Sequence, residues 1–181
     1  MKVTESNLKG CFIIQPHIFK DERGSFFESF NQKVFEELIG QKINFVQDNQ
    51  SQSSKGVLRG LHFQHREFAQ AKLVRVIKGS VQDVVVDLRE NSRTFGQHFS
   101  IELSEKNNTQ LFIPRGFAHG FLALEDDTIF SYKCDNFYNN ESESGIIYDD
   151  QTLSISWNDL GTSYKLSEKD IMLPKFEDLK L

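Results

Sequence analysis

The sequence predicts an all-β protein with a closed or double-sheeted antiparallel architecture. Short apolar runs with period-two alternation follow one another along the chain, separated by turn sequences such as PRG and EDD. A single helical pattern precedes most of them, and no internal repeat, linker or low-complexity segment divides the chain. Regular short strands with one early helix are typical of sandwiches and barrels. We therefore expect residues 1–181 to form one domain, with a short helix in its N-terminal half and a C-terminal tail packed on the barrel.

Each element follows from its local pattern. The run from Asn31 to Gly40, NQKVFEELIG, has an amide that can cap the first turn, an apolar stripe at helical spacing and a terminal glycine, so it predicts a helix. Gly24 lies in a charged turn between aromatic ends. The predicted strands are residues 11–14, 57–63, 72–77, 81–88, 98–103, 110–113, 120–124 and 128–133. From Ser167 onward we expect a short helix or tail.

Composition argues against several classes of function. A hydrophobic share of 38% with 17 Phe indicates a folded globule. A net charge of −5 makes a duplex-binding surface unexpected, because phosphate contacts require clustered Lys and Arg. No apolar run approaches the ~20 residues of a membrane span, and the N-terminus lacks the apolar stretch of a signal peptide. Cys11 and Cys134 are far apart and indicate neither a disulfide framework nor a zinc cluster. We expect a cytoplasmic protein with no nucleic-acid or membrane partner.

One stretch carries chemistry that a purely structural strand does not need. Lys55 to Lys72 reads KGVLRGLHFQHREFAQAK, in which cationic, imidazole and amide side chains alternate with apolar ones. Strict alternation would place Arg59 and His62 on opposite faces, unless Gly60 marks a bulge that resets the pattern. Such side chains would cost several kcal/mol inside a barrel if they were unpaired. The stretch therefore predicts a hydrated, ligand-facing cavity.

Four side chains are candidates for the chemistry, each with a simpler alternative. His62 could be a satisfied core or surface histidine, but its neighbours favour a catalytic base, because imidazole accepts a proton near neutral pH. Lys72 could be an ordinary surface lysine or an inward ammonium that pairs with an anion. Tyr132 and Tyr138 could simply pack, or their hydroxyls could reach the cavity from a strand end. A phenol is a weak acid, suited to protonating a carbanion.

A second motif bears on the fold and on metal binding. Pro114 to Phe121 reads PRGFAHGF, and its P-x-G-x-x-H pattern resembles the second motif of cupin jelly rolls. Metal-binding cupins have H-x-H followed by Glu in their first motif, whereas the stretch that starts at His62 reads HFQ and His65 is out of phase. The three or four ligands that a metal requires are incomplete. We therefore expect a cupin-like antiparallel jelly-roll barrel without a metal site.

Motifs that cover nearly the whole chain, in order, indicate a family. They are FxDxRGxFxE from Phe19, FVQDN from Phe45, KGVLRGLHFQ from Lys55, KLVRV from Lys72, TFGQ from Thr94, QLFIPRGFAHGFL from Gln110, YK and FY between Tyr132 and Tyr138, GIIYDD from Gly145 and LSEKD from Leu166. This set resembles the dTDP-4-dehydrorhamnose 3,5-epimerases of deoxysugar biosynthesis. The resemblance implies a cupin-type jelly roll, usually a homodimer in which part of each site comes from the neighbour.

The resemblance also implies a reaction and a set of site residues. The substrate would be dTDP-4-dehydro-6-deoxy-glucose, inverted at C3 and C5 beside its C4 ketone. His62 would be the base, Asp170 its orienting partner and Tyr132 the acid on the opposite face. Lys72 would lie beside the ketone oxygen. The implied substrate contacts are Phe19, Arg23, Glu28, Gln47, Asn49, Arg59, His119, Tyr138, Glu143 and Lys169. Among them, Tyr138 would stack on thymine, and Phe19 would lie near the nucleotide. No cofactor is expected, because no electrons leave the substrate, and no Gly-rich phosphate loop is present.

Two departures from the family pattern concern the nucleotide pocket. Ala71 stands where the family often has Gly, and Ser144 where it often has Arg. Neither change removes a proposed catalytic group. Three alternatives stay open at this stage: an epimerase acting on one carbon, a ketoisomerase on another 4-keto nucleotide sugar, and a cupin that binds a nucleotide sugar without turnover.

Overall fold

The computed structural model describes residues 1–180. The strands are β1 (Lys2–Glu5), β2 (Phe12–Gln15), β3 (Phe19–Asp21), β4 (Gly24–Phe26), β5 (Gln47–Ser53), β6 (Leu58–Gln64), β7 (Lys72–Lys78), β8 (Ser80–Asp87), β9 (His98–Ser104), β10 (Gln110–Ile113), β11 (Phe117–Ala123), β12 (Thr128–Cys134) and β13 (Glu143–Gly145). The helices are α1 (Gln32–Ile39) and α2 (Glu168–Ile171), and 3-10 turns lie at Arg66–Phe68, Asn140–Ser142 and Phe176–Asp178. Within the described residues, no helix is long and apolar enough to cross a membrane.

Two antiparallel sheets form the body of the protein. One has six strands in the order β1-β2-β10-β7-β12-β5, and the other has five in the order β13-β6-β11-β8-β9. Strands β3 and β4 pair only with each other and form a separate hairpin. This two-sheet arrangement confirms the predicted antiparallel jelly roll.

The core lies in three layers that follow from the two-residue period of the strands. Between the sheets, Val81 and Val85 of β8 pack with residues of β7, β10, β11 and β12. The alternate residues Val84 and Val86 face the other way, into a cluster closed by the C-terminal segment around Phe176. Both faces of β8 are therefore covered, and every one of its residues is buried. The C-terminal segment packs on the barrel as predicted.

Helix α1 covers the outer face of the six-stranded sheet. The side chain of Asn31 accepts a hydrogen bond from the Val34 amide, and Gly40 ends the helix with its amide donating to the Glu36 carbonyl, as predicted. Phe35 and Ile39 are buried against the sheet. Burial of such side chains stabilises the docked helix by about 1.5–3 kcal/mol each.

The predicted strands are present, with ends that shift by a few residues. The strand expected at 120–124 is Phe117–Ala123, and that expected at 81–88 is Ser80–Asp87. Strand β5 was not predicted as a strand, because its sequence QDNQSQS contains no apolar residue. It forms an edge of the six-stranded sheet and pairs with β12 over its whole length.

Candidate active site

A cleft opens between the two sheets and is lined by residues of both. We name it the main cleft. It has a volume of about 480 Å³ and is lined by strands β5, β6, β7, β11 and β12, by helix α2 and by the segment before that helix. An adjoining side cleft of about 280 Å³ is lined by polar residues of β5 and β6 and by Tyr138 and Glu143. The two clefts share three residues: His62, Lys72 and Tyr132. The predicted cavity is therefore present, and three of the four predicted catalytic residues lie where its two parts meet.

A bulge in β6 brings Arg59 and His62 into the same cleft. His62 lies opposite His119 on β11, but Arg59 lies opposite Phe121, so three steps on β6 match two steps on β11. Strict alternation would have separated Arg59 from His62, and the extra residue at Gly60 cancels that separation. The alternative left open by the sequence, a bulge at Gly60, is the one observed.

His62 is held by a buried carboxylate. Its Nε2 lies 2.6 Å from Oδ1 of Asp170, whose side chain is nearly fully buried. The Ser167 hydroxyl donates to the other oxygen of Asp170 at 2.8 Å. Burial alone would raise the pKa of Asp170, but the hydrogen bond and charge of His62, together with the hydrogen bond from Ser167, outweigh it, and the pKa is lowered. The carboxylate is thus ionised and fixes the ring of His62.

Lys72 and Tyr132 line the cleft from the sheet opposite His62. The ammonium of Lys72 lies 5.9 Å from the centroid of the Tyr132 ring. Among residues 1–180, neither the ammonium nor the tyrosine hydroxyl has a hydrogen-bond partner, so both are available to a ligand. Burial lowers the pKa of Lys72 and raises the pKa of Tyr132, because in each case the charged form loses hydration.

A polar network forms the wall of the side cleft. The hydroxyl of Tyr138 donates to Glu143 at 2.6 Å, and the ammonium of Lys169 donates to the same carboxylate oxygen. Gln47 accepts from the Tyr138 amide at 3.1 Å and donates to Asn49 at 3.0 Å. Burial opposes ionisation of Glu143, but the bonds from Lys169 and Tyr138 outweigh it, and its pKa is lowered. The ring of Tyr138 stays 53% exposed and free to stack on a planar group.

The structure places most of the predicted residues at the two clefts, but not all. Lining them are the catalytic candidates His62, Lys72, Tyr132 and Asp170 and the contact candidates Gln47, Asn49, Arg59, His119, Tyr138, Glu143 and Lys169. Phe19, Arg23 and Glu28 line neither cleft of this chain. Phe19 and Arg23 lie on the β3–β4 hairpin, with Phe19 58% exposed.

Two residues that sequence reasoning did not name hold the candidates in place. Ser167 caps α2 and bonds to Asp170. Its S-x-x-D pattern with Asp170 is a capping-box signature that could have revealed it. Asp83 bonds to His119 at 2.9 Å, and the signal for it was a carboxylate inside the apolar run VQDVVVDL.

The structure also shows where the two departures from the family pattern, Ala71 and Ser144, lie. Ala71 is buried with Leu73 and Phe112 in the cluster beneath α1, and it lines neither cleft. Ser144 pairs with Phe63 at the β13–β6 edge. Within residues 1–180, no group of three or more His, Cys, Asp and Glu side chains is arranged to hold a metal ion.

Fold and site together define a jelly-roll protein in which an imidazole and a phenol face one cleft from opposite sheets, the kind of site that an enzyme moving protons requires. The comparisons identify its family. The profile of the dTDP-4-dehydrorhamnose 3,5-epimerase family matches residues 5–178. The chain therefore belongs to the dTDP-4-dehydrorhamnose 3,5-epimerase family. The predicted family, fold and epimerase activity are confirmed.

Individual relatives are similar over almost their whole length. The dTDP-4-dehydrorhamnose 3,5-epimerase of Shigella flexneri is 51% identical over 181 residues, which are 98% of this chain and 97% of the relative. The crystal structure of the Elizabethkingia anophelis enzyme is 55% identical with a TM-score of 0.94, covering 98% and 97% of the two chains. That of a Legionella pneumophila 3,5-epimerase in complex with dTDP-4-keto-L-rhamnose is 46% identical with a TM-score of 0.94, covering 99% and 94%.

Proposed function

We propose that this protein inverts C3 and C5 of dTDP-4-dehydro-6-deoxy-glucose and so forms dTDP-4-dehydrorhamnose. The observation that carries the proposal is the placement of His62 and Tyr132 on facing sheets of one cleft, with the ammonium of Lys72 beside Tyr132. Inversion of a carbon next to a ketone requires a base on one face, an acid on the other, and a positive group at the oxygen. The side chains of His62, Tyr132 and Lys72 are of these three chemical kinds and line one cleft, which supports the proposal.

His62 removes the proton. Its Nε2 is engaged by Asp170, so its Nδ1 accepts the proton from the carbon beside the ketone. The electron pair of the broken C–H bond moves into the C4 carbonyl and forms an enolate. Asp170 stabilises the resulting imidazolium, as the carboxylate of a catalytic triad does. The buried ammonium of Lys72 stabilises the enolate oxygen, and one such donor contributes about 2.7–4 kcal/mol to transition-state stabilisation.

Tyr132 returns a proton to the opposite face of the same carbon. Because its pKa is raised, the hydroxyl is protonated at neutral pH and is a donor when the enolate forms. A phenol is a weak acid, but the carbon of an enolate is basic enough to accept its proton. Before the second carbon reacts, His62 releases its proton to solvent and the Tyr132 phenolate takes one up, so that both groups return to their starting states. The same steps then occur at the second carbon.

The nucleotide is bound at the side cleft. The exposed ring of Tyr138 stacks on the base, which contributes about 1–3 kcal/mol by analogy with single-strand binders. Glu143, Gln47 and Asn49 provide hydrogen-bonding groups around it, and Arg59 with Lys169 supplies positive charge for the pyrophosphate.

A homodimer completes each site with the hairpin of the neighbouring subunit. Phe19, Arg23 and Glu28 are substrate contacts by family resemblance, yet they line neither cleft of their own chain. Arg23 bonds only to Asp21 of its own hairpin turn among the described residues. The exposed aromatic rings of Phe19 and Phe26 favour a hairpin that packs against a second copy.

We also infer one epimerase domain over residues 1–181 and a cytoplasmic location. The match to the family over residues 5–178 supports the single domain. Cys11 and Cys134 are both free and buried, which favours a reducing compartment.

Deuterium incorporation tests the reaction. Incubation of the 4-keto sugar nucleotide with the protein in heavy water should place deuterium at both C3 and C5, detected by NMR and mass spectrometry, and His62→Ala should abolish it with the fold intact. Deuterium at one carbon only would indicate a single-carbon epimerase. Migration of the ketone to another carbon would indicate a ketoisomerase. Binding without exchange would overturn the enzymatic proposal.

Subunit complementation tests the shared site. His62→Ala and Arg23→Ala chains should each be weakly active alone. Mixed dimers contain one intact site, so random reassociation of equal amounts should restore about a quarter of the wild-type activity. No recovery after verified subunit exchange would place the complete site within one chain.

A further inference from the structure

A second histidine–aspartate pair lies beside the first. His119 on β11 is the cross-strand neighbour of His62 on β6. As His62 bonds to Asp170, so His119 bonds through Nε2 to Oδ2 of Asp83, at 2.9 Å. His119 lines the main cleft, and its Nδ1 has no hydrogen-bond partner among residues 1–180. The cleft therefore presents two imidazoles side by side, each with a carboxylate on its far nitrogen.

The carboxylate of this second pair is held differently from that of Asp170. Asp83 is fully buried, and its other oxygen, Oδ1, is buried without a hydrogen-bond partner in the part of the chain that the structure describes. The Asp170 carboxylate is bonded by both His62 and Ser167, whereas that of Asp83 is bonded, among residues 1–180, by His119 alone. Its strand neighbours Val81 and Val85 belong to the apolar core, and the residue opposite it on β9 is Ile101.

Few other charges surround Asp83. Asp83 interacts with three ionisable groups: His119 from β11, Lys72 from β7 and the thiol of Cys11. Burial raises the pKa of the Cys11 thiol to about 12, so this group is neutral. A buried carboxylate with one partner is a costly arrangement, and apolar residues of similar volume would be as stable or more stable there. Structure alone does not require Asp83.

We propose that Asp83 is a positioning residue that acts through His119: it fixes the ring and balances a positive charge on it, so that Nδ1–H of His119 donates to the sugar oxygen that becomes negative. His119 and Lys72 then form a two-point positive site for the enolate. This inference rests on the proposed function and on the family resemblance, which implies that His119, a residue of the main cleft, contacts the substrate. The new elements are the role of the Asp83 carboxylate, which bonds to the far nitrogen of His119, and the positive charge that this carboxylate stabilises on the His119 ring.

Asp83→Asn is the decisive change, because it keeps the shape and an oxygen acceptor for Nε2–H but removes the charge. A neutral ring bonded in this way would turn a lone pair, not a proton, toward the sugar. We expect kcat to fall about 100-fold, as for loss of a donor to a developing oxyanion, with KM changed less than about threefold. The pH profile of kcat should also change, because one charged group of the active complex is lost.

A double-mutant cycle separates this role from a structural one. If Asp83 acts only through His119, adding Asp83→Asn to His119→Asn should lower kcat no further. Asp87→Asn is the matched control: Asp87 lies on the same strand, is also fully buried, and bonds to Arg89 rather than to a cleft residue. It should lower thermal stability but leave the kcat of folded protein and its pH profile unchanged.

A measurement without substrate distinguishes this inference from the proposed reaction. The ¹⁵N NMR signal of His119 is assigned as the histidine signal that disappears in His119→Asn. At pH 7 this signal should have the chemical shifts of a doubly protonated ring in the wild-type protein and those of a neutral ring in Asp83→Asn. A neutral ring in the wild-type protein, or additive effects in the cycle, would overturn the role of Asp83 even if the epimerase reaction holds. Wild-type kcat in Asp83→Asn would overturn it as well.

Discussion

Gly60→Ala tests whether the bulge in β6 builds the site. Gly60 has φ +116°, a conformation that costs other residues about 1–3 kcal/mol. An added Cβ would lie 2.7 Å from Cα of Gly120 and 2.8 Å from the carbonyl oxygen of His119. Both neighbours are backbone atoms of a central strand, so they cannot turn aside as a flexible side chain would. Overpacking of this kind costs a further ~1–3 kcal/mol.

The two effects together destabilise the fold by about 4 kcal/mol. In a protein of this size, each kcal/mol shifts Tm by about 2–4 °C, so Tm should fall by roughly 8–16 °C. Turnover per folded molecule should also fall, because relief of the clash displaces Arg59 and His62. A displacement of about 1 Å at a catalytic group costs about 100-fold in rate. Thermal denaturation followed by circular dichroism and turnover per folded molecule measure the two effects.

Gly24→Ala provides the control for stability. Gly24 has a similar φ of +129°, but an added Cβ there would meet no atom within 4 Å. Its substitution therefore reports the backbone cost alone, and the difference in Tm between the two variants reports the clash. If Gly60→Ala melts no lower than Gly24→Ala and turns over at the wild-type rate, the bulge does not position the catalytic residues.

Three further predictions concern the charged and proton-carrying groups. Since burial lowers the pKa of Lys72, its ammonium loses its proton at a lower pH than that of an exposed lysine. Lys72→Arg should therefore move the alkaline limb of the pH profile of kcat to higher pH. If the limb does not move, it reports the titration of a group other than Lys72. Tyr132→Phe should retain hydrogen exchange on the His62 face but block inversion, and normal inversion by NMR would exclude Tyr132 as the acid. The pKa of Asp170 lies below its usual 3.8, so the ionised carboxylate contributes fully to stability above pH 3.8, and this contribution is lost as the pH falls through the lower, folded-state pKa. The Asp170→Asn variant should lack this pH-dependent part of the Tm curve. Identical curves of Tm against pH for the two proteins would contradict the prediction.

Local patterns predicted those elements whose sequence carries their own signal. Helix α1 has a capping amide, an apolar stripe and a terminal glycine, and all three act as expected. Strand β8 has valines on both faces because both of its faces are covered. Strand β5 carries no such signal, since it lies at a sheet edge and contributes polar side chains to the clefts. Its position depends on pairing with β12, which no local pattern reveals.

The site shows the same division. Polar residues within KGVLRGLHFQ indicated a cavity, but whether Arg59 and His62 share it depends on the register between β6 and β11. The sequence contains Gly60 and therefore permits a bulge, yet only the paired strand shows where the extra residue lies. Asp170 is distant from His62 in sequence, and family resemblance rather than spacing linked them; their contact requires α2 to fold back onto β6.

The short helix α2 joins the two ends of the substrate site. Lys169 and Asp170 are consecutive residues, and their side chains diverge, one to Glu143 in the side cleft and the other to His62 in the main cleft. A single turn, capped by Ser167, thus holds both Glu143 and the ring of His62. If Lys169 binds the nucleotide and His62 abstracts the proton, as we propose, a substitution at Lys169 that shifts this turn will alter both functions.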